Sequence, residues 1–265
     1  MTAPANPAIA FTKASACGND FLLVDGAQVS GDLADLTRRM CDRHRGVGAD
    51  GVEWLFPDAH ADVDARLINA DGSSAEVSGN GTRCVAAEIC LREGKKEIVV
   101  RTGAGLKTCR LIARQGFTFE FEADMGPPEL GGQLSIETPQ VHASGTRVST
   151  GNPHFIIFVD KFPDGWQRQA AVIQTQPHFP QGTNVAYVVV CGPHEIEIRM
   201  FERGAGETES SGTGSCASAV AAIAAGRVTS PVTVVAPGGA QTVRWENQVY
   251  LQGPATLICR GEFFI

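Results

Sequence analysis

Short runs in which polar and apolar positions alternate, or in which apolar and β-branched residues cluster, dominate this chain, and helical spacing is rare. The runs at 21–25, 51–56, 97–102, 106–112 and 117–123 predict strands in the first half. The segment 62–69 opens Asp-Val-Asp-Ala, the alternation of a half-buried strand. In the second half, 155–160, 185–191, 195–201, 232–236, 241–245 and 257–264 read the same way. Three segments predict helices. One is 33–41, with Asp32 placed as its cap. The others, 82–93 and 215–226, are small or apolar on nearly every side, and a helix without a polar face has to be enclosed.

Both enclosed helices follow a Ser-Gly-x-Gly segment, Ser78-Gly79-Asn80-Gly81 and Ser211-Gly212-Thr213-Gly214, which lie 133 positions apart. The same ungapped shift lays Arg66 on Arg199, Glu76 on Glu209 and Gly18-Asn19 on Gly151-Asn152, with Phe21 and Phe155 close behind. Several matches at one offset signal a duplicated unit. The expected fold is therefore α+β, two pseudo-symmetric domains in which strands wrap a central helix. The Pro/Gly-rich stretch 126–132 sets the expected boundary, giving domains 1–125 and 126–265. Two similar halves facing each other suit chemistry that must reach both faces of one small molecule.

Bulk properties narrow the field further. A chain of 265 residues accommodates two ordinary domains. No apolar run nears the ~20 residues of a membrane helix, and segment 1–10 has no basic residue of the kind that opens a secretory signal. With 29 acidic against 22 basic residues the net charge is −7, so neither nucleic acid nor an anionic membrane is an expected partner. Eight cysteines occur without a Cys-x-x-Cys pair, and Cys41 with His44 lacks a second ligand pair for zinc. They read as reduced, buried residues of a cytoplasmic protein, and no metal is expected.

Glycines at a helix start let a ligand approach backbone N–H groups with no Cβ in the way. Those groups lack intrahelical acceptors and sit at the positive end of the helix dipole, so paired turns suit one shared carboxylate. Taken singly, each serine reads equally as an ordinary N-cap. A dinucleotide fingerprint is disfavoured, because the strand at 232–236 ends without the acidic residue such a unit needs. A serine hydrolase would want Gly-x-Ser-x-Gly, whereas serine opens the turn here.

Longer motifs now align with a known family. Phe11-Thr12-Lys13, Gly18-Asn19-Asp20-Phe21, Asp42-Arg43-His44-Arg45-Gly46-Val47-Gly48-Ala49-Asp50 and Asn69-Ala70-Asp71-Gly72-Ser73 resemble diaminopimelate epimerases. So do Gly79-Asn80-Gly81-Thr82-Arg83-Cys84, Gly151-Asn152-Pro153-His154, Thr183-Asn184-Val185 and Glu202-Arg203-Gly204-Ala205-Gly206-Glu207-Thr208. The resemblance implies two like domains with the active site in the cleft between them. It also implies inversion at an amino-acid α-carbon without any cofactor, converting LL- to meso-diaminopimelate on the way to lysine and peptidoglycan. By the family pattern Asn19, Asn69, Asn152, Asn184 and Arg203 grip the distal end of the substrate. Gly79, Asn80, Gly212 and Thr213 cradle the α-carboxylate, and His154 and Glu202 assist the two catalytic groups. The expected partners are a small amino acid and, at most, a second copy of the chain as a homodimer.

The sequence departs from that pattern where it matters most. The family's two catalytic cysteines fall on positions 78 and 211, and both are serine here. A thiol near pKa ~8.5 is readily tuned to a thiolate, whereas a serine hydroxyl needs a strong adjacent base. Three readings stay open: engineered replacements in an epimerase, a branch with another isomerase or dehydratase step, and an amino-acid-binding protein without chemistry. Cys17, near Asn19, is a candidate substitute nucleophile or a packing residue, while Cys84 and Cys216 read as core. His44 reads as a loop-ordering group, and His60, His142, His178 and His194 as surface residues.

Overall fold

A computed structural model describes residues 8–265, so most of the segment read for a secretory signal lies outside the described residues. Two compact units emerge, Met1–Phe121 with Pro254–Ile265, and Glu122–Gly253. Among the described residues no helix is long and apolar enough to cross a membrane.

The first unit runs β1 (Ala8–Ala16), β2 (Asn19–Asp25), α1 (Leu33–Cys41), β3 (Gly51–Phe56), β4 (Val63–Asn69), β5 (Ser74–Ala75), α2 (Gly79–Glu93), β6 (Glu97–Thr102), β7 (Gly105–Gln115) and the first half of β8 (Thr118–Gly126), whose second half belongs to the other unit. Pairing is antiparallel for β1–β2, β3–β4 and β6–β7, and parallel for β2–β3 and β4–β6. Helix α2 packs against β1, β2, β4, β6 and β7. Its residues from Gly79 to Ala87, with Ile89 and Cys90, are all buried, as a helix with no polar face demands. Helix α1 lies on β3 and β4 and is amphipathic instead. Asp32 caps it, Oδ1 accepting from the N–H groups of Ala34 and Asp35. Fully buried Trp54 donates from Nε1 to Thr37 Oγ1 at 2.9 Å, which satisfies the indole that tethers α1 to β3.

The second unit repeats this order with β9 (Glu129–Glu137), β10 (His142–Ser149), β11 (Pro153–Phe158), α3 (Trp166–Gln174), β12 (Asn184–Gly192), β13 (Glu195–Glu202), β14 (Gly206–Thr208), α4 (Gly212–Ala224), β15 (Val232–Ala236) and β16 (Gly239–Trp245). The last strand, β17 (Val249–Phe264), follows. Parallel pairs β11–β12 and β13–β15 stand where β2–β3 and β4–β6 stand in the first unit. The 133-position shift carries α1 onto α3 at both ends, and the starts of β3 and α2 onto those of β12 and α4. Helix α4 is buried from Gly212 through Ala222 and packs against β10–β13, β15 and β16.

Both enclosed helices begin three residues earlier than expected, because the glycines after Ser78 and Ser211 form the first turn rather than precede it. The boundary expected at residue 126 is the end of β8, and the units divide at 121/122 instead. Residues Pro254–Ile265 group with the first unit, since β17 pairs with β1 from Ala8↔Phe264 to Ser15↔Thr256. Their backbone hydrogen bonds reach the start of the chain, so a cut by sequence order alone misassigns them. None of the eight cysteines forms a disulfide; six are buried, but Cys191 and Cys259 are exposed on strands.

Candidate active site

In the first unit the glycine turn is held by a chain of hydrogen bonds. Ser78 caps α2, its Oγ accepting from Gly81 N at 3.0 Å, while Ser78 O accepts from Thr82 N. Buried Asn80 follows, and its Nδ2 donates to Asn19 Oδ1 at 2.6 Å. Arg83, wholly buried one turn on, donates to Asn80 Oδ1 at 2.6 Å and to Gly79 O at 3.1 Å. Asn19 Nδ2 in turn donates to Asp50 Oδ2. Asp50 is bound by Arg43, and Arg43 and Lys13 both hold Asp20. These half-exposed ion pairs contribute little stability each, about 0–1 kcal/mol. Their effect is positional: the Asp42–Asp50 loop fixes Asn19, and Asn19 fixes the first turn of α2. Asn69 sits apart from this chain, its Nδ2 donating to Ser73 Oγ.

One further side chain reaches the turn. Glu53 on β3 is 3% exposed, and burial raises its pKa to about 8. A Cβ on Gly81 would stand 2.1 Å from Glu53 Oε1 and 3.2 Å from Ser78 Cβ, so a side chain at position 81 would displace this carboxyl. Sequence reading passed over Glu53 as part of an apolar strand. Its signal was there, an acid flanked by Val52 and Trp54 in a segment buried on both faces.

In the second unit Ser211 caps α4, Oγ accepting from Gly214 N at 3.2 Å. Ser211 is 4% exposed and donates its hydroxyl proton to Glu202 Oε2 at 2.9 Å. Thr208 Oγ1 donates to the other oxygen, Oε1, at 2.8 Å, fixing that carboxylate. Thr150 Oγ1 donates to Thr213 O and braces the turn from β10's end. Buried Asn184 links two strand ends, its Nδ2 donating to Pro153 O and its Oδ1 accepting from Arg203 N. The exposed Arg203 side chain donates to Gln181 O.

His154 is buried, and burial, aided by the charge of Arg203, lowers its pKa to about 3. It is therefore neutral. Nε2 lies 2.9 Å from Asn152 Oδ1, and an amide oxygen only accepts, so Nε2 carries the proton. Nδ1 keeps its lone pair and, among the described residues, has no hydrogen-bond partner. A neutral imidazole with an open lone pair can accept a hydrogen bond at that atom, but with its pKa lowered to about 3 it is a weak base.

Each sequence-derived site residue falls into one of two local groups. Ser78, Gly79, Asn80 and Asn19 gather in the first unit, with Asn69 at the end of β4. Ser211, Gly212, Thr213 and Glu202 gather in the second, as do His154 with Asn152 and Asn184 with Arg203. Cys17 is not an activated thiol. It is buried at positive φ (49°), and burial raises its pKa despite Arg83 3.9 Å away. Cys84 and Cys216 are core. His44, His60, His142, His178 and His194 are exposed. No group of three or more acidic, histidine or cysteine side chains placed to hold a metal occurs among the described residues.

The diaminopimelate epimerase family model matches residues 11–131 and 146–258. The diaminopimelate epimerase of Pelotomaculum thermopropionicum is 41% identical, the alignment covering 96% of this chain and 98% of that one. That of Moorella thermoacetica is 39% identical over the same shares. Among solved structures, a hydroxyproline epimerase from Agrobacterium vitis superposes with a TM-score of 0.74 at 16% identity, covering 96% of this chain and 90% of that one.

Proposed function

This chain belongs to the diaminopimelate epimerase family, and we propose that it inverts the α-carbon of diaminopimelate between serine hydroxyls in place of thiols. The observation that carries this reading is the matched pair of serine-capped, glycine-opened helix starts, one in each unit. Each presents backbone N–H groups at the positive end of a helix dipole. Converging on one substrate, they would hold the α-carboxylate and draw electron density from the α-carbon as its proton leaves.

The second unit supplies the clearer base. Ser211 already donates to Glu202, so as Ser211 Oγ takes the α-proton its own proton passes to Glu202 and no free alkoxide forms. Ser78 stands for the opposite face and returns a proton there. Asn19, Asn69, Asn152, Asn184 and Arg203 would bind the distal amino and carboxyl groups, and neutral His154 would accept a hydrogen bond from the substrate ammonium at Nδ1. We place the reaction in the cytoplasm, where cysteines outside disulfides, as all eight are here, stay reduced.

Incubation with LL-diaminopimelate in heavy water tests the assignment. The expected result is deuterium at the α-carbon of both recovered stereoisomers, read by mass spectrometry after chiral separation. Tight binding with no α-deuteration would instead identify a binder without chemistry and overturn the proposal.

A further inference from the structure

Serine at position 78 lacks what serine at position 211 has, a hydrogen-bonded carboxylate. The 133-position shift that relates the two units carries Glu202 onto Asn69, and Asn69 bonds to Ser73 rather than to Ser78. The same shift carries Glu53 onto Ala186, so Glu53 is an addition to the first unit alone. Its carboxyl is almost fully buried and lies over the first turn of α2. A carboxyl this deeply placed is costly to ionise and so tends to hold its proton.

We infer that Glu53 is the proton donor and acceptor behind Ser78, so that each half of the site works as a serine–carboxyl relay, Ser78 with Glu53 and Ser211 with Glu202. The geometry rests on Gly81, since the point a Cβ would take there lies 2.1 Å from Glu53 Oε1 and 3.2 Å from Ser78 Cβ. Ser78 Oγ already accepts from Gly81 N, which leaves its O–H to turn toward the substrate. Burial keeps Glu53 protonated at neutral pH, and a substrate carboxylate bound at the same helix start favours that neutral form further. Glu53 shares the surroundings of Cys84 on α2, where Arg83 on α2, Cys17 in the β1–β2 turn and Asp20 on β2 also act. The inference rests on the epimerase reading.

The α-proton goes to Ser211 Oγ while the Ser211 hydroxyl proton goes to Glu202, and the C–H electron pair stays on carbon. On the other face that pair takes the hydroxyl proton of Ser78, whose oxygen is re-protonated by Glu53. Glu202 ends protonated and Glu53 ionised. The reverse reaction, or exchange with water, restores the starting state. In this scheme Glu53 acts through Ser78 and holds no contact with the reacting carbon.

The test follows α-proton exchange in heavy water separately for LL- and meso-diaminopimelate at low conversion, in the unaltered chain, Glu53→Gln and Glu202→Gln. Inversion should fall in both variants by about 10²–10⁴-fold. Glu53→Gln should still exchange the one epimer whose α-proton faces Ser211, without inverting it, and Glu202→Gln should exchange only the other. Glu53→Asp should recover part of what Glu53→Gln loses. Equal loss of exchange for both epimers in Glu53→Gln would assign a merely structural role, and unaltered inversion would assign none. Either result overturns the inference while leaving the epimerase reading in place. Absence of exchange in the unaltered chain would overturn that reading itself.

Discussion

Replacing Ser78 and Ser211 together by cysteine should raise α-proton exchange on diaminopimelate by about 10²–10⁴-fold, the span general acid–base groups typically supply. The two side chains differ by one atom, so the expected gain is chemical rather than steric. A thiol near pKa ~8.5 holds an appreciable thiolate fraction at neutral pH, whereas a serine hydroxyl reacts only as fast as its carboxyl partner can shuttle the proton. The exchange has a structural cost. Ser78 Oγ and Ser211 Oγ accept from Gly81 N and Gly214 N at the helix starts, and sulfur is a weak acceptor. Losing both caps should destabilise the fold by about 1 kcal/mol each. The double variant should therefore be faster and less stable, measured by exchange rate and thermal midpoint on the same sample. No gain in exchange would mean that the two hydroxyls do not face the α-carbon.

The second large effect is on stability against pH. Glu53 has its pKa raised from 4.5 to about 8 by burial. A raised folded-state value means that the native state binds a proton the unfolded chain has released. Its contribution is fully present below pH 4.5 and declines as pH rises toward about 8. At pH 7 the burden amounts to roughly 3 kcal/mol. Glu53→Gln keeps the shape without the charge, so it should be more stable than the unaltered chain by about that amount at neutral pH. The two should converge near pH 4, as read from denaturant titrations across the range. His154 works in the other direction. Its pKa, lowered to about 3, makes its contribution present above the ordinary 6.5 and lost as pH falls below that value. Equal stability of the Glu53→Gln and unaltered chains at pH 7 would show that Glu53 is ionised in the fold.

Much of the fold was legible because this sequence repeats itself and keeps its apolar runs short. The bounds of α1, β3, β6 and β15 agree with their sequence signals, each having a clear cap or a β-branched run. Helix α3 escaped, since it begins after Gly165 at positive φ (70°) with no side-chain cap to announce it. The duplication held that information: the shift that aligns the glycine turns also carries α1 onto α3. Strand β9 escaped for another reason. Its Gly131-Gly132 pair and mostly exposed face give no alternation, and only pairing with β10 makes it a strand. At the site, the caps formed by Ser78 and Ser211 were readable from the motif itself. The partners were not. Ser211 meets Glu202 from β13, and Glu53 reaches the Ser78 turn from β3, across contacts that depend on strand order rather than on spacing. Burial, which decides the charge of Glu53 and His154, was equally out of reach of sequence spacing.

A crystal structure of the chain with diaminopimelate bound is the most direct measurement. The proposal predicts one α-carboxylate accepting from main-chain N–H groups at both Gly79–Asn80 and Gly212–Thr213, with the α-carbon between Ser78 Oγ and Ser211 Oγ. A carboxylate held by one helix start alone, or an α-carbon with both hydroxyls on the same face, would contradict it.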